Sequence, residues 1–488
     1  MSLIKKIAIA NRGEIAKRII TTCHQMGLET VLLYASGDTH NEAFRLAKEV
    51  VCIGSSDLLD SYLNIQNNIS GALGAGAQAI HPGYGFLSEN AEFAKECQKK
   101  GLIFIGPSSK IIESFGNKIK ARKLCEKFGI PVLPAWVGQV TDKKEIETKA
   151  KELGYPLMIK AACGGGGRGL RVAFKKEELM KLISEVRSEA KMSFNNEEVF
   201  IEKYLDSAKH IEVQVFGSAD GKIHILGDRD CSLQRRHQKI IEEAPSSLPE
   251  NIKLEMKEIC EKFCEAIDYR GAGTIEFLFQ DGRFYFLEMN TRLQVEHTVT
   301  EMIFNVDLVR AQILTAMNRP AFSKDQIFIP KGHSLQCRIC AEDPQSQFFP
   351  AVGTLLSCAW PKGLGRRVDT GFYQGDTISI QYDSLIAKLI TWDSSRVRNI
   401  EKMKKALEET MIFGLTLNIS FLLDVLSHPL FVENKIHIDT LEKTLIKDWI
   451  PDSFPLPEDL IQKVFSTLKS SSQKGSSQIS FNPWEDLK

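Results

Sequence analysis

Over its first hundred residues the chain alternates short apolar runs with amphipathic stretches. "KIAIA", "TVLLYA", "EVVCIG", "AQAIHPG" and "LIFIG" read as buried strands, while "GEIAKRIITTCHQMG" and "NAEFAKECQKKG" carry apolar residues at helical spacing. This βαβ rhythm predicts an open parallel sheet. Its strands run into loops bearing glycine or polar residues, "NRGE", "HPGYGFLSEN" and "GPSS", and ligands bind at the carboxyl ends of such strands. "HPGYGF" is equally well explained as a tight turn built on Pro82, Gly83 and Gly85.

From about residue 117 the period changes. A helix ("KIKARKLCEKFG") leads to "IPVLPAW", a helix over about 141–153 and a glycine-rich hairpin. Two strand pairs follow, "EVFIEKYL" with "HIEVQVFG" and "GTIEFLF" with "RFYFLEMN", which predicts an α+β region on antiparallel sheets. From about 330 to 450, strand-rich segments ("GHSLQCRICAEDP", "DTISIQYDSLIAKLITW") precede helices around 396–410 and 417–427. Beyond about 450, Pro and Ser dominate, which reads as a flexible tail.

The glycines sit in "AACGGGGRGL", where Gly164, Gly166 and Gly169 match the G-x-G-x-x-G of dinucleotide-binding loops. That loop must open a helix. Here "YPLMIKA" precedes the glycines and the alternating, β-branched "LRVAF" follows, so the loop joins two strands. A glycine flap between strands can cover phosphates with backbone N–H groups. Walker A is excluded because Leu170 stands where that motif needs Lys.

The densest chemistry lies in "GTIEFLFQDGRFYFLEMNTRLQVEH", residues 273–297. A three-residue loop at 280–282 sets Thr274 opposite Glu288 and Glu276 opposite Phe286, making Glu276 and Glu288 same-face diagonal neighbours about 7–8 Å apart. A two-residue loop puts the two acids on opposite faces. With Asn290 on the same face, such oxygen donors suit one or two Mg²⁺ ions. Their neighbours Phe277, Phe279, Phe286 and Leu287 predict buried strands, so the acids need partners. Arg292, Gln294, Glu296 and His297 follow within six residues and suggest an anion site with an acid or base at hand. Lys118, Lys160 and "CSLQRRHQK" add cations. Without aromatic interleaving or a basic domain they favour phosphate over nucleic acid.

Composition narrows the class. At 488 residues the chain holds roughly three domains of about 150 residues. Lys plus Arg (62) balances Asp plus Glu (62), which argues against coating nucleic acid or a membrane surface. No apolar run approaches the roughly 18 residues of a membrane span. The start, "MSLIKKIAIANRGE", lacks a leader pattern, so a cytoplasmic location is expected. Eleven cysteines without disulfide cadence predict reduced thiols, with Cys52 and Cys358 placed in apolar runs. The pairs Cys337/Cys340 and Cys260/Cys264 lack a second ligand pair for zinc.

A glycine lid, two buried lysines, a metal-binding acid pair and an anion-binding Arg describe an ATP-dependent activating enzyme. "IANRGEIA", "HPGYGFLSEN", "IKAACGGGGRG", "RDCSLQRRHQK", "EMNTRLQVEH", "CRICAEDP" and "YDSLIAKL" together resemble biotin carboxylase, the ATP-grasp component of biotin-dependent carboxylases, over about residues 1–450. "RDCSLQRRHQK" and "QVEH" are specific to that branch, whereas a glycine lid fits any ATP-grasp ligase. The resemblance implies a Rossmann-like N-terminal domain (1–117), an ATP-grasp domain (118–329, lid about 131–203) and a biotin carboxylase C-terminal domain (330–450); the flexible tail (451–488) lies outside it.

It further implies ATP binding by Lys118, Lys160, Gly166, Gly167, Glu202, Lys203, Leu205, His210, Gln234 and His237. Glu276, Glu288 and Asn290 would hold two Mg²⁺ or Mn²⁺ ions, and Lys239, Arg292, Gln294 and Val295 bicarbonate. Glu296 would be the base and Arg338 would stabilise the biotin enolate, with Lys239 and Arg292 also catalytic. In the family, bicarbonate and ATP give carboxyphosphate, whose breakdown supplies the CO₂ that biotin captures.

Three departures stand out: Thr298 replaces the usual Pro after "QVEH", Gln336 the common Glu before "CR", and Cys340 the usual Asn. Gln336 and Cys340 flank Arg338 and are expected to remove polar or charged partners that position it. Cys163 is expected to make the lid sensitive to oxidation. The sequence contains no Ala-Met-Lys-Met, so biotin is expected in trans on a carrier protein, with a separate carboxyltransferase, "FNPWEDL" as a partner-docking segment and a homodimer as the family norm. Acetyl-CoA carboxylase is the first choice of parent complex; propionyl-type acyl-CoA and pyruvate carboxylases, another ATP-grasp ligase, and a non-catalytic nucleotide-binding scaffold are the alternatives.

Overall fold

The computed structural model describes residues 4–138, 143–164, 169–323, 326–446 and 449. The tail at 451–488 and the lid residues Gly166 and Gly167 lie outside these. β1 (Lys6–Ile9), β2 (Glu29–Ala35), β3 (Glu49–Gly54), β4 (Ala79–His81) and β5 (Ile103–Phe104) form a five-stranded parallel sheet in the order β3-β2-β1-β4-β5. Helix α1 (Gly13–Gln25) follows β1 and buries Ile15, Ala16, Ile19, Ile20 and Cys23 against that sheet. The strand order reverses beside β1, where the β1 and β4 loops meet. There Asn11 donates its amide to the Pro82 and Tyr84 carbonyls, both at 2.7 Å.

The lid sheet is antiparallel, ordered β6-β9-β7-β8 from β6 (Ala135–Trp136), β7 (Leu157–Ala161), β8 (Leu170–Ala173) and β9 (Val199–Lys203). β7 and β8 flank the glycines as the alternation predicts, with Lys160 opposite Leu170. The expected pairing of "EVFIEKYL" with "HIEVQVFG" does not form. The first segment is β9 of the lid, and the second is β10 (Lys209–Gly217) of a different sheet. Two apolar strands close in sequence look like a hairpin, but each is claimed by a different core.

That second sheet has eight strands. β10 is joined by β11 (Ile223–Arg235), β12 (Gln238–Ala244), β13 (Gly271–Gln280), β14 (Arg283–Asn290), β15 (His333–Cys340), β16 (Arg366–Thr370) and β17 (Leu385–Asp393). The order β14-β13-β10-β11-β12-β15-β17-β16 carries one ladder from the central region into the C-terminal one through β12 and β15. Helix α2 (Glu250–Ala266) packs Ile252, Met256, Cys260, Phe263 and Cys264 on one face of it. The helices expected near 396–410 and 417–427 run Arg396–Glu408 and Ile419–Ser427.

The β13–β14 turn departs from the three-residue reading. Gln280 pairs with Arg283, leaving a two-residue loop of Asp281 and Gly282, both with positive φ (51° and 74°), as a type I′ hairpin requires. This loop alone would set the acids on opposite faces. A bulge between Glu276 and Phe277 shifts the ladder by one residue, and Glu276 lies directly opposite Glu288 with Thr274 opposite Asn290.

All eleven cysteines are free thiols. Cys52, expected in the core, is exposed, and Cys358 is only partly buried. No helix among the described residues is long and apolar enough to cross a membrane.

The N- and C-terminal regions touch backbone to backbone: a Cβ on Gly371 would lie 2.4 Å from the Gly13 carbonyl carbon, and the Glu42 amide donates to the Gly371 carbonyl at 2.8 Å. Gly371→Ala should therefore destabilise the protein by about 2 kcal/mol, read as a lowered thermal midpoint against Gly375→Ala, whose Cβ meets open space but whose φ of 90° carries its own strain.

Candidate functional site

A cleft of about 510 Å³ lies between the lid sheet, the eight-stranded sheet and the β4 loop. Lys118, Lys160, Glu202, Lys203, Leu205, His210, Gln234, His237, Lys239, Glu276, Glu288, Asn290, Arg292, Gln294, Val295, Glu296 and Arg338 all line it. Residues as far apart in sequence as Lys118 and Arg338 converge because each sits on or beside an element that faces one space.

At the lid end, Lys160 is buried and pairs with Glu202 at 2.5 Å. Lys118, expected to be buried, is only partly so, and reaches Glu288 at 2.7 Å. Lys203 turns its ammonium to the Gly154 and Tyr155 carbonyls (2.9 and 3.2 Å). Gln234 and His210 share a hydrogen bond of 2.5 Å, and the other His210 nitrogen lies 2.9 Å from Glu276. The β11–β12 hairpin turns at Arg236 and His237, both with positive φ (49° and 64°). Neither is glycine, and such strain is held only where the surroundings over-determine it.

At the centre is Lys239. Its ammonium donates to Glu212 (2.6 Å), Glu276 (2.8 Å) and Glu296 (2.6 Å). Glu212 also accepts from Arg229, which is fully buried and donates further to Gln214, Thr300 and Thr274 at 2.7, 2.8 and 3.1 Å. Burial alone would raise the Glu212 carboxyl, but Arg229 and Lys239 hold it at about 2. Glu296 has no solvent exposure; burial pushes it up, and Lys239 and Arg338 bring it below the ordinary 4.5. Against burial, Lys239 and His210 depress Glu276, and Lys118 and Lys239 depress Glu288. All four carboxylates are ionised at neutral pH.

Arg292 donates from Nε to Glu89 (2.8 Å), and from its other nitrogens to Asn290 and Gln294 (both 2.9 Å). Arg338 lies between two carboxylates, with Nε on Glu242 at 2.6 Å and a terminal nitrogen on Glu296 at 3.1 Å. Gln336 and Cys340 are expected from the sequence to remove polar or charged partners around Arg338; its guanidinium is nevertheless held by Glu242 and Glu296, Gln336 donates to Glu242 at 2.9 Å, and Asn418 braces the Cys340 amide and the Arg338 carbonyl. Cys163 is partly buried beside the Asn196 amide at 3.4 Å.

Sequence reasoning missed Glu212, Arg229, Glu242 and Glu89, which hold the site residues, and Tyr84, Gly85 and Ile438, which line the cleft. A signal existed for Glu212: His210, Glu212 and Gln214 recur with period two in "HIEVQVF" and mark a polar face on a buried strand.

An antiparallel lid over a sheet bearing paired carboxylates defines an ATP-grasp ligase. Profiles described as "Biotin carboxylase, N-terminal domain", "Carbamoyl-phosphate synthase L chain, ATP binding domain" and "Biotin carboxylase C-terminal domain" match residues 3–112, 117–323 and 336–443. The biotin carboxylase of Haemophilus influenzae is 45% identical over 448 residues, 91% of this chain and 99% of that protein. One of the pyruvate carboxylase subunits of Methanothermobacter thermautotrophicus is 43% identical over 438 residues, 89% of each chain. The crystal structure of the biotin carboxylase domain dimer of Hydrogenobacter thermophilus 2-oxoglutarate carboxylase, in complex with MgADP, ADP and bicarbonate, superposes with a TM-score of 0.88 at 40% identity, covering 92% of this chain and 100% of that one. The chain belongs to the biotin carboxylases, ATP-dependent ligases that carboxylate biotin.

The depressed carboxyls make stability depend on pH. A carboxyl held below its unfolded value contributes stability that is present above about 4.5 and lost as pH falls toward about 2. The denaturant midpoint of the wild type should fall from pH 5 to pH 3. Lys239→Met, which leaves three buried carboxylates short of a cation, should cost about 3 kcal/mol at pH 7, and the gap should narrow on acidification.

Proposed function

We propose that this chain carboxylates biotin presented on a separate carrier protein, using bicarbonate and MgATP by way of carboxyphosphate, as the first half-reaction of an acetyl-CoA carboxylase. The observation that carries the reading is Glu296: a carboxylate without solvent exposure, kept ionised between Lys239 and Arg338 in a cleft it shares with Glu276, Glu288 and Asn290.

Lys118, Lys160, Gly166, Gly167, Glu202, Lys203, Leu205, His210, Gln234 and His237 bind ATP in this reading. Two ionised carboxylates opposite one another on adjacent strands, with an amide oxygen on the same face, are the hard-oxygen set that Mg²⁺ or Mn²⁺ takes. Glu276, Glu288 and Asn290 would hold two such ions, which would supply positive charge against the phosphate charge that moves in transfer.

Bicarbonate lies against Lys239, Arg292, Gln294 and the Val295 backbone. The guanidinium fork of Arg292 matches a planar oxyanion bidentately, and Glu89 behind it holds the fork's angle. Glu296 takes the bicarbonate proton; Lys239 keeps it ionised beforehand, and its burial favours the protonated product. Arg338 then faces the biotin ureido oxygen, whose negative charge exists only during transfer, so its contribution falls on turnover more than on binding.

The carrier protein, carboxyltransferase, homodimer and cytoplasmic location belong to the same reading. Support for this reading comes from relatives that are named simply biotin carboxylase. The pyruvate carboxylase relative, similar to this chain to nearly the same degree, keeps pyruvate as the rival acceptor, and pairing the carboxylated carrier with acetyl-CoA or pyruvate carboxyltransferase would choose between them.

Phosphate release from MgATP should require bicarbonate and accelerate with free biotin. Glu296→Ala should lower the bicarbonate-dependent rate by about 10²–10⁴-fold. Hydrolysis indifferent to bicarbonate and biotin would overturn the reading while leaving the ATP-grasp fold intact.

A further inference from the structure

Behind Arg338 runs a chain of hydrogen bonds with no solvent access. Helix α3 (His297–Phe304) begins beside Glu296, and in its first turn the Thr298 hydroxyl donates to the Gln336 side-chain oxygen. The Gln336 amide donates to Glu242 Oε2 at 2.9 Å, and Glu242 Oε1 accepts from Arg338 Nε at 2.6 Å. Thr298, Gln336 and Glu242 all have zero exposure.

We propose that Thr298 and Gln336 are positioning residues for Arg338: the hydroxyl orients the Gln336 amide, the amide fixes the Glu242 carboxylate in place, and Glu242 holds the guanidinium. The inference rests on Arg338 acting on biotin, as above. The direction of the chain follows from donor capacity. An ionised Glu242 only accepts, so the amide must present its NH₂ to it; its oxygen then faces Thr298, which must donate.

The two carboxylates on Arg338 have different tasks. Glu296 changes charge in each turnover, so its tie to Arg338 loosens when it takes up a proton. Glu242 is the anchor that has to stay charged throughout. The Glu242 carboxyl sits above its ordinary value: burial pushes it up and the nearby Glu296 adds to this, while Arg338 and the Gln336 hydrogen bond oppose the rise. The charged and titratable groups around this relay are Glu242 from β12, Arg338 from β15 itself, Lys388 from β17 in register with Arg338, and Glu296, His297 and Glu301 at and within α3.

An amide donor has no proton to lose in the working range. A carboxyl group at 336 could make the same bond to Glu242 only while protonated. Above its pKa two buried carboxylates would face each other, and the anchor of Arg338 would fail. Gln336 thus removes a titration from the biotin step.

The test is the pH profile of biotin-dependent turnover in the full chain, pH 6 to 9, for wild type, Gln336→Glu, Thr298→Val and Thr298→Ser, with bicarbonate-dependent phosphate release without biotin measured alongside. Gln336→Glu should stay within about threefold of wild type at pH 6 and lose tenfold or more in kcat/KM for biotin by pH 9, a new alkaline limb. Thr298→Val should lose about fivefold, the worth of one neutral hydrogen bond, and Thr298→Ser should restore it. A Gln336→Glu profile parallel to wild type overturns the relay, as does equal activity of the Val and Ser variants, which decides the matter if Gln336→Glu fails to fold. Wild type without biotin-stimulated turnover overturns the reading of Arg338 itself, and the relay with it.

Discussion

Lys239 is the charge on which the rest of the site depends. Its ammonium is shared by Glu212, Glu276 and Glu296, and no one of these carboxylates could stay ionised at its depth without a cation in contact. Lys239 in turn is fixed because Glu212 is held from behind by Arg229, which has no solvent exposure and directs its remaining donors to Gln214, Thr274 and Thr300. Three cations and four carboxylates, with Arg338 and Glu242 closing the far end, form one connected array. Removing any member leaves a buried neighbour with one charged partner fewer, so the array is rigid in a way a surface cluster would not be.

The eight-stranded sheet makes that rigidity available to chemistry. β10, β12 and β13 supply Glu212, Lys239 and Glu276, β14 supplies Glu288 and Asn290, and β15 supplies Arg338. A single ladder therefore spans the cleft from Glu288 and Asn290 to Arg338. The separation of Arg338 from Lys239, the two cations that Glu296 bridges, is set by strand spacing rather than by loops. The lid sheet, built around its own core, touches the cleft through Lys160, Glu202 and Lys203.

Much of the architecture was legible in the periodicities. The parallel N-terminal sheet, α1, the flap strands and the late helices all follow from local patterns of apolar residues, since each buries a face whose period is written in its own segment. The partner of "EVFIEKYL" was not legible, because period two identifies a strand and says nothing of which neighbour it joins. The exposure of Cys52 has a related cause: an apolar run at a sheet edge, as β3 is, can leave alternate residues outside.

The candidate site was legible as residue types and motifs: a glycine-rich loop between two strands, an acid pair, a guanidinium and a further carboxylate. What the chain alone determined was which groups are available, because side-chain chemistry and short-range period are local properties. Only the tertiary structure decided how they meet. The bulge that sets Glu276 opposite Glu288, the burial that makes Glu212 and Arg229 necessary to Lys239, and the contact of Thr298 with Gln336 across 38 positions all arise from strand register and packing between distant segments. Those are set by the summed fit of the whole core, which no single stretch of sequence contains.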